Sequence, residues 1–105
     1  MIYKVQLTEQ AKQDLRGIYE YIAFTLQEPR HARNLKQRIV DKLKSLDEMP
    51  LRYPLYQEEP WKSMGLRRVG IGNYCGFYFV TEKTVKVIRI MYGGRDISAV
   101  LNEEE

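Results

Sequence analysis

The segment between Leu66 and Tyr92 has the residue pattern of three consecutive β-strands. Its apolar stretches are rich in β-branched and aromatic residues, which suit a half-buried pleated sheet. Gly72 and Asn73 tolerate positive φ, as a tight hairpin turn requires, and residues 81–84 form a second turn. The pattern therefore indicates an antiparallel meander. The predicted strands are Leu66–Ile71, Tyr74–Val80 and Val85–Tyr92.

The N-terminal half has a strand pattern followed by two helical patterns. Residues 2–7 alternate between apolar and polar, which predicts a first strand. From Glu9 to about Gln27, and again from about Arg30 to Leu46, apolar residues recur every three or four positions, which is typical of helices with one buried stripe. Thr8 is placed to cap the first helix and Pro29 to end it. Because the link is short, we expect an antiparallel helix hairpin.

The order of the predicted elements defines the fold class. A strand, two helices, a long connection over residues 51–64, the meander and a short helix at Ile97–Leu101 make one α+β domain over residues 1–105. We expect the helix hairpin to pack on one face of an antiparallel sheet whose last three strands form the meander. The other face is expected to stay uncovered and to gather positive charge around the turn at Arg95.

The charge of the chain is unevenly distributed along the sequence. It has 17 basic and 14 acidic residues, a net charge of +3, but three of the acidic residues belong to an acidic tail at 102–105. Without those three glutamates the rest of the chain would have a net charge of +6. A body this basic favours an acidic partner, either nucleic acid or an acidic peptide segment. A solvated surface that only aids solubility is an equally good reading.

Further sequence features limit the cellular compartment in which the protein works and the cofactors that it could use. The single cysteine, Cys75, excludes an internal disulfide and is typical of a reducing cytosol. No basic-then-apolar leader opens the chain, and no apolar run approaches the roughly 20 residues that span a bilayer, so we expect a cytoplasmic protein. No Cys/His cluster, Gly-rich phosphate loop or nucleophile triad occurs, so we expect no metal or nucleotide cofactor.

Arginine side chains of the predicted sheet are the first candidate site residues. Arg67 and Arg68 are adjacent on a strand and point to opposite faces, so at most one serves a phosphate site on an open face. Arg89 has the same ambiguity, within a strand that is apolar on both sides. Arg95 follows two glycines at the end of a strand, where a side chain is presented to solvent. An ion pair between Arg95 and Asp96, or another carboxylate, is the alternative.

Aromatic side chains are candidates for a different chemistry. Tyr74, Tyr78 and Tyr92 could stack on bases or donate a proton, and packing within the sheet is the alternative reading. Trp61, in the long connection, is either a partner-binding anchor or a packing residue.

Several motifs, in this order along the chain, resemble the RelE/ParE superfamily of toxins from bacterial type II toxin–antitoxin systems. TEQAKQDLRGIYEYI looks like the first helix of that superfamily, and Leu46–Pro50 looks like its L-x-x-x-P helix end. LRRVGIGNYCGFYFV resembles its sheet motif, and RIMYGGRDI resembles the close of the sheet. The resemblance implies the α+β toxin fold, a growth-inhibiting activity, and a cognate antitoxin as partner in a hetero-oligomer.

Two branches of the superfamily share this fold and differ in their targets. Members that resemble RelE are ribosome-dependent endonucleases that cut mRNA through attack by the RNA's own 2′-hydroxyl, whereas members that resemble ParE poison DNA gyrase. This sequence has no Tyr or His after Arg95, and it has Gly70 where the nuclease branch holds an arginine. Its stretch Tyr92–Asp96 looks like the ParE-type H-G-x-R-D close, with Tyr for His. The resemblance therefore favours a gyrase-directed toxin, with an mRNA endonuclease as the alternative.

The resemblance also implies roles for individual residues. A nuclease would use Arg67 or Arg68, with Arg95 and Tyr92, as its catalytic set. An acidic, amphipathic antitoxin segment that folds on binding would suit the basic sheet face. A degenerate member kept as a non-toxic binding module is a third reading. The residues expected to bind the target or the antitoxin are Arg67, Arg68, Arg89, Arg95, Tyr74 and Tyr78.

Overall fold

A computed structural model of the chain describes residues 2–94 and 96–102. The order of elements is the one that the sequence predicts: strand, helix hairpin, connection, meander and short helix. Arg95 and residues 103–105 of the acidic tail lie outside the described residues. The elements are β1 (Lys4–Leu7), α1 (Glu9–Glu20), α2 (Pro29–Lys44), α3 (Trp61–Met64), β2 (Arg67–Ile71), β3 (Tyr74–Val80), β4 (Thr84–Tyr92) and α4 (Ile97–Asn102).

Capping and proline residues mark where the two helices of the hairpin begin. The Thr8 hydroxyl oxygen accepts a hydrogen bond from the Ala11 amide at 3.1 Å, which confirms the predicted N-cap. A π-helical turn, Tyr21–Thr25, prolongs α1, and Pro29 occupies the first turn of α2. The two helices pack against each other as the predicted hairpin.

Within the described residues the sheet has four strands in the order β1-β4-β3-β2. β2, β3 and β4 pair antiparallel, which confirms the predicted meander. β1 instead pairs in parallel with the Thr84–Val87 part of β4, so the sheet is mixed and only the meander is antiparallel. A parallel neighbour is possible because the chain between β1 and β4 runs through the hairpin and two other strands rather than a tight turn.

The face of the sheet that packs against the helix hairpin forms the larger core. The predicted apolar stripes of both helices are buried there except at Leu26, the last residue of the first stripe, which is 50% exposed. Gly76 of β3 passes close to α2, because a Cβ atom at that position would lie 3.1 Å from Cδ2 of Leu43. The buried residues of this core include Ala11, Leu15, Ile22, Ala32, Leu35, Ile39, Leu43, Leu46, Val69, Tyr78, Val85 and Val87.

The opposite face of the sheet is covered by α4 and by the connection before β2, so the expectation that this face stays open is wrong. The strands of the meander are apolar on both sides, and water is therefore excluded from both faces. Trp61 packs against this second core, with its ring centroid 5.9 Å from that of Tyr56, which supports the packing reading of Trp61. The second core contains Tyr56, Leu66, Cys75, Phe77, Met91, Ile97, Val100 and Leu101.

Candidate functional site

Arg89 lies inside the protein, which corrects the expectation that it contacts a partner. The residue is 9% exposed. Its Nε and Nη2 atoms donate to the two carboxylate oxygens of Asp14 in α1 at 2.8 and 3.1 Å, and its Nη1 atom donates to the Val100 carbonyl in α4. The Ile90 amide donates to the same carboxylate at 3.0 Å. Arg89 therefore joins the first helix, β4 and the last helix.

Arg67 and Tyr78 are cross-strand partners, and both bind backbone carbonyls of the segment that follows α2. The Nη1 atom of Arg67 donates to the Tyr53 carbonyl at 2.6 Å. The Tyr78 hydroxyl is fully buried and donates to the Pro50 carbonyl at 2.6 Å. Burial raises the pKa of Tyr78 to about 12, against a smaller lowering by the charge of Arg67. The two side chains hold this segment against the sheet, and the Tyr78 phenol is unsuited to be a general base near neutral pH.

The raised pKa of Tyr78 predicts a loss of stability in alkali. The phenol has a pKa near 10 in the unfolded chain and about 12 in the folded protein, so the unfolded state releases its proton first as the pH rises. The stabilisation from this group is complete below pH 10 and falls by about 2–3 kcal/mol between pH 10 and about 12. Urea unfolding across that range should show the fall, and Tyr78→Phe should make it shallower. An unchanged slope in the variant would contradict the assignment.

Three of the predicted site residues, Arg68, Tyr74 and Tyr92, lie around the turn after β4. This region, here named the β4-end rim, is made of these three residues with Gly93 and Gly94. Tyr74 and Tyr92 pair across β3 and β4 with ring centroids 5.7 Å apart, and Tyr92 is 49% exposed. The Tyr92 ring lies over Gly94, where a Cβ atom would come within 2.6 Å of its Cε2 atom. Arg68 reaches the turn on the face covered by α4, with its Nη2 atom 3.8 Å from a Cβ position at Gly93.

Arg95 lies outside the described residues, so its role stays a prediction from the sequence. Asp96, the next residue, accepts a hydrogen bond from the Ala99 amide at 3.3 Å and so caps α4. At the described part of the rim, Arg68 supplies a cation and Tyr92 supplies a half-exposed phenol. These groups suit contact with an acidic or aromatic surface of a partner.

Two grooves flank the helix hairpin. The first lies between α1 and the part of β4 that β1 does not cover, has a volume of about 610 Å³, and includes Tyr21, Tyr74 and Tyr92. Gly17 leaves its α1 wall open, since no atom lies within 4 Å of the position of a Cβ there. This groove adjoins the β4-end rim.

The second groove lies between α2 and the outer edge of β2, has a volume of about 570 Å³, and is here named the basic groove. Sequence reasoning missed this site because its lining comes from segments that meet only in the fold. The available signal was the pair of basic residues one helical turn apart in α2. The basic groove is lined by Arg38, Asp41, Lys42, Ser45, Arg52, Gly70, Ile71 and Gly72.

The described residues provide neither a metal centre nor a reactive thiol. No three His, Cys, Asp or Glu side chains within residues 2–94 and 96–102 are grouped to hold a metal ion. Burial raises the pKa of the Cys75 thiol, against a smaller lowering by Arg68, which leaves the thiol unreactive near neutral pH. No helix in the same residues combines the length and the apolar character of a membrane span.

Solved structures of toxin–antitoxin systems share this fold. The chain matches one from the chromosomal ParDE TA system from P. aeruginosa with a TM-score of 0.72 and 23% identity, covering 87% of this chain and 96% of that chain. It matches the RelBE2 toxin–antitoxin complex from Mycobacterium tuberculosis with a TM-score of 0.63 and 22% identity, covering 88% and 99%. For the archaeal RelE–RelB complex from Pyrococcus horikoshii OT3 the TM-score is 0.61 and the identity 17%, covering 90% and 99%.

A helix hairpin on a sheet with this order of elements thus defines a protein of the RelE/ParE superfamily. Residues 5–97, most of the chain, match the family described as the ParE toxin of type II toxin-antitoxin system, parDE. The chain belongs to that family. By sequence alone it has no significant match among curated proteins.

Proposed function

We propose that this protein is a growth-inhibiting toxin that poisons DNA gyrase and that a cognate antitoxin neutralises. The observation that carries the proposal is the match of residues 5–97 to the ParE toxin family. Gyrase is the target that the resemblance to the ParE branch implies. The surface proposed to contact the target is the β4-end rim, together with Arg95.

The engagement of Arg67 and the burial of Tyr78 support a protein-binding poison over a nuclease, because they leave fewer groups available to RNA. Cleavage by the RNA's 2′-hydroxyl needs cations at the phosphate, a general base and a general acid within reach of one another. Arg67 instead binds a backbone carbonyl within the protein, and the phenol of Tyr78, which was considered as a proton donor, is buried. Arg68 and Tyr92 are the described candidates that reach the exposed rim.

An antitoxin partner is proposed because the structural neighbours include complexes of a toxin with its antitoxin. The net positive charge of the chain suits an acidic antitoxin segment. Arg68, Tyr74 and Arg95 are the residues proposed to contact it. Co-expression with the small protein encoded beside it should give one complex in size-exclusion chromatography, and separate elution of the two proteins would count against this partner.

The first test of the proposal compares the two targets with a single purified sample. The protein is expected to inhibit DNA supercoiling by gyrase and to leave mRNA intact in a translating extract. Cleaved mRNA with normal supercoiling would favour the endonuclease. Unaffected growth on induced expression of the folded protein would contradict a toxin of either kind.

Removal of the Tyr92 hydroxyl at the β4-end rim distinguishes gyrase inhibition from mRNA cleavage. Tyr92→Phe keeps the ring that packs against Tyr74 and removes only the group that a nuclease would use as acid or base. We expect gyrase inhibition to change by less than about threefold, whereas loss of a general acid or base costs about 100-fold or more. Tyr21→Phe, at an exposed tyrosine in the adjoining groove, is the matched control.

A further inference from the structure

Contacts within the protein hold cations of the basic groove in place. The Nη1 atom of Arg52 donates to the Met49 carbonyl at 3.1 Å, and the ring of Tyr53 lies 4.7 Å from the Arg52 guanidinium and 5.5 Å from the Lys42 ammonium. In the part of the chain that the structure describes, no ion pair within 4.0 Å joins Arg38, Lys42 or Arg52 to a carboxylate. The groove therefore combines three cationic side chains with the carboxylate of Asp41.

The carboxylate of Asp41, which also lines the groove, offsets one of the three positive charges there. Asp41 lines the groove and accepts a hydrogen bond from the Gln37 amide at 2.8 Å. The phenol of Tyr53 lies beside two of these cations, Lys42 and Arg52. Burial alone would raise the pKa of Tyr53, but hydrogen bonds and charges from Lys42 and Arg52 outweigh it and lower that pKa overall.

The geometry of the groove favours a polyanion over an added β-strand. The outer edge of β2 is already paired with the preceding connection, through hydrogen bonds from the Tyr56 amide to the Leu66 carbonyl and from the Arg68 amide to the Pro54 carbonyl. By strand alternation only Gly70 presents a further outward amide and carbonyl, whereas a strand usually needs three or more residues. An extended peptide therefore has almost no edge to join.

The space beside the cations is open enough for a sugar–phosphate backbone. No atom lies within 4 Å of the position of a Cβ at Gly70. Arg38 and Lys42 are one turn apart in α2, about 6 Å between their Cβ atoms, and so form a short row along the groove wall. Arg38 and Arg52 are both exposed at its mouth, and Ser45 adds a hydroxyl.

We propose that the basic groove binds the phosphate backbone of duplex DNA through Arg38, Lys42 and Arg52. Its biological role rests on the proposed function, because gyrase holds duplex DNA and a toxin bound to gyrase would meet that DNA through this surface. Binding is through the backbone, so it is independent of base sequence.

The first experiment measures binding of the purified protein to a short fluorescent DNA duplex by anisotropy, without gyrase. Neutralisation of about three phosphates predicts a slope of about −2.7 for log K against log salt concentration, or an affinity loss of about 40-fold between 50 and 200 mM salt. Two duplexes of different sequence should bind equally. A salt-independent affinity, or no binding at low salt, would overturn the proposal.

Matched alanine variants locate the site. Arg38→Ala and Lys42→Ala should each weaken binding about 3- to 10-fold and reduce the salt slope by about 1. Arg33 and Lys36 lie in the same helix but do not line the groove, so Arg33→Ala and Lys36→Ala are the controls. The Lys36 ammonium lies 5.6 Å from the centroid of the Tyr19 ring. All four side chains are at least partly exposed, so the variants should keep the circular dichroism spectrum of the parent. Equal losses in controls and groove variants would place binding elsewhere.

A second probe tests the competing partner class. A polyglutamate peptide that bound more tightly than the duplex, with the same dependence on Arg38 and Lys42, would make the groove a protein-binding site and reject the proposal. The gyrase assay is read separately. Gyrase inhibition without DNA binding would reject the DNA-binding groove and leave the proposed function standing. DNA binding without gyrase inhibition would reject gyrase as the target and leave the DNA-binding groove standing.

Discussion

Asp14→Ala is expected to lower the free energy of unfolding by about 3–5 kcal/mol, because it removes the buried carboxylate to which the Arg89 guanidinium donates two hydrogen bonds. Both side chains of this ion pair are 10% exposed, and the carboxylate also accepts the Ile90 amide. A domain of this size has a total stability of about 5–15 kcal/mol, so the variant would lose a large share of it. Urea unfolding followed by circular dichroism measures the difference.

The chain offers a close control for Asp14. Asp41 in α2 accepts a hydrogen bond from the glutamine four residues earlier, as Asp14 does in α1, but it lies on an exposed surface. Asp41→Ala should therefore cost about 0.5 kcal/mol or less. Adding Arg89→Met to Asp14→Ala should recover part of the loss, since the buried charge is then absent. Equal losses for Asp14→Ala and Asp41→Ala would show that the ion pair contributes little.

Phe77→Ala is expected to lower the free energy of unfolding by about 3–5 kcal/mol, because it leaves a cavity in the second core. Phe77 is 0% exposed, and its ring packs edge-to-face on Tyr56 with centroids 5.5 Å apart. If this sheet face were open to solvent, as the sequence predicts, the same change would cost about 1 kcal/mol or less. The variant thus tests whether α4 covers the sheet in solution.

Phe24→Ala is the control for that experiment. Phe24 is 69% exposed in the π-helical turn, so removing its ring should change the free energy of unfolding by about 1 kcal/mol or less. Near-ultraviolet circular dichroism should report the loss of packing around Tyr56 and Trp61 in Phe77→Ala and not in Phe24→Ala. Similar losses in both variants would contradict the assignment of Phe77 to a core.

Local patterns predicted the elements of this fold, because each pattern depends on near neighbours in sequence. The strand Tyr74–Val80 was predicted at its observed limits, and the helical stripe that includes Ile39 and Leu43 is buried as expected. The predicted first helix, to about Gln27, corresponds to α1 and the π-helical turn. Hairpin packing and the meander follow from short links, which allow few alternatives.

The candidate site was harder to predict because its contacts join residues far apart in sequence. Asp14 and Arg89 are separated by 75 positions, and no local pattern pairs them. A β-bulge also changes the register: Phe77 pairs with Arg89, but Tyr78 pairs with Val87. Simple alternation would put Arg89 on the same face as Val87, whereas the bulge turns it towards Val100 of α4. Period-two reasoning cannot detect such an extra residue.

The contacts of Arg89 have a consequence for synthesis on the ribosome. The chain emerges from its N-terminus, so α1 with Asp14 is available well before Arg89 and the α4 residues around Val100. Until α4 has emerged, the sheet face around Phe77 exposes apolar surface of the kind that chaperones bind. We therefore expect the second core to close, and its apolar surface to be covered, only after α4 has left the ribosome.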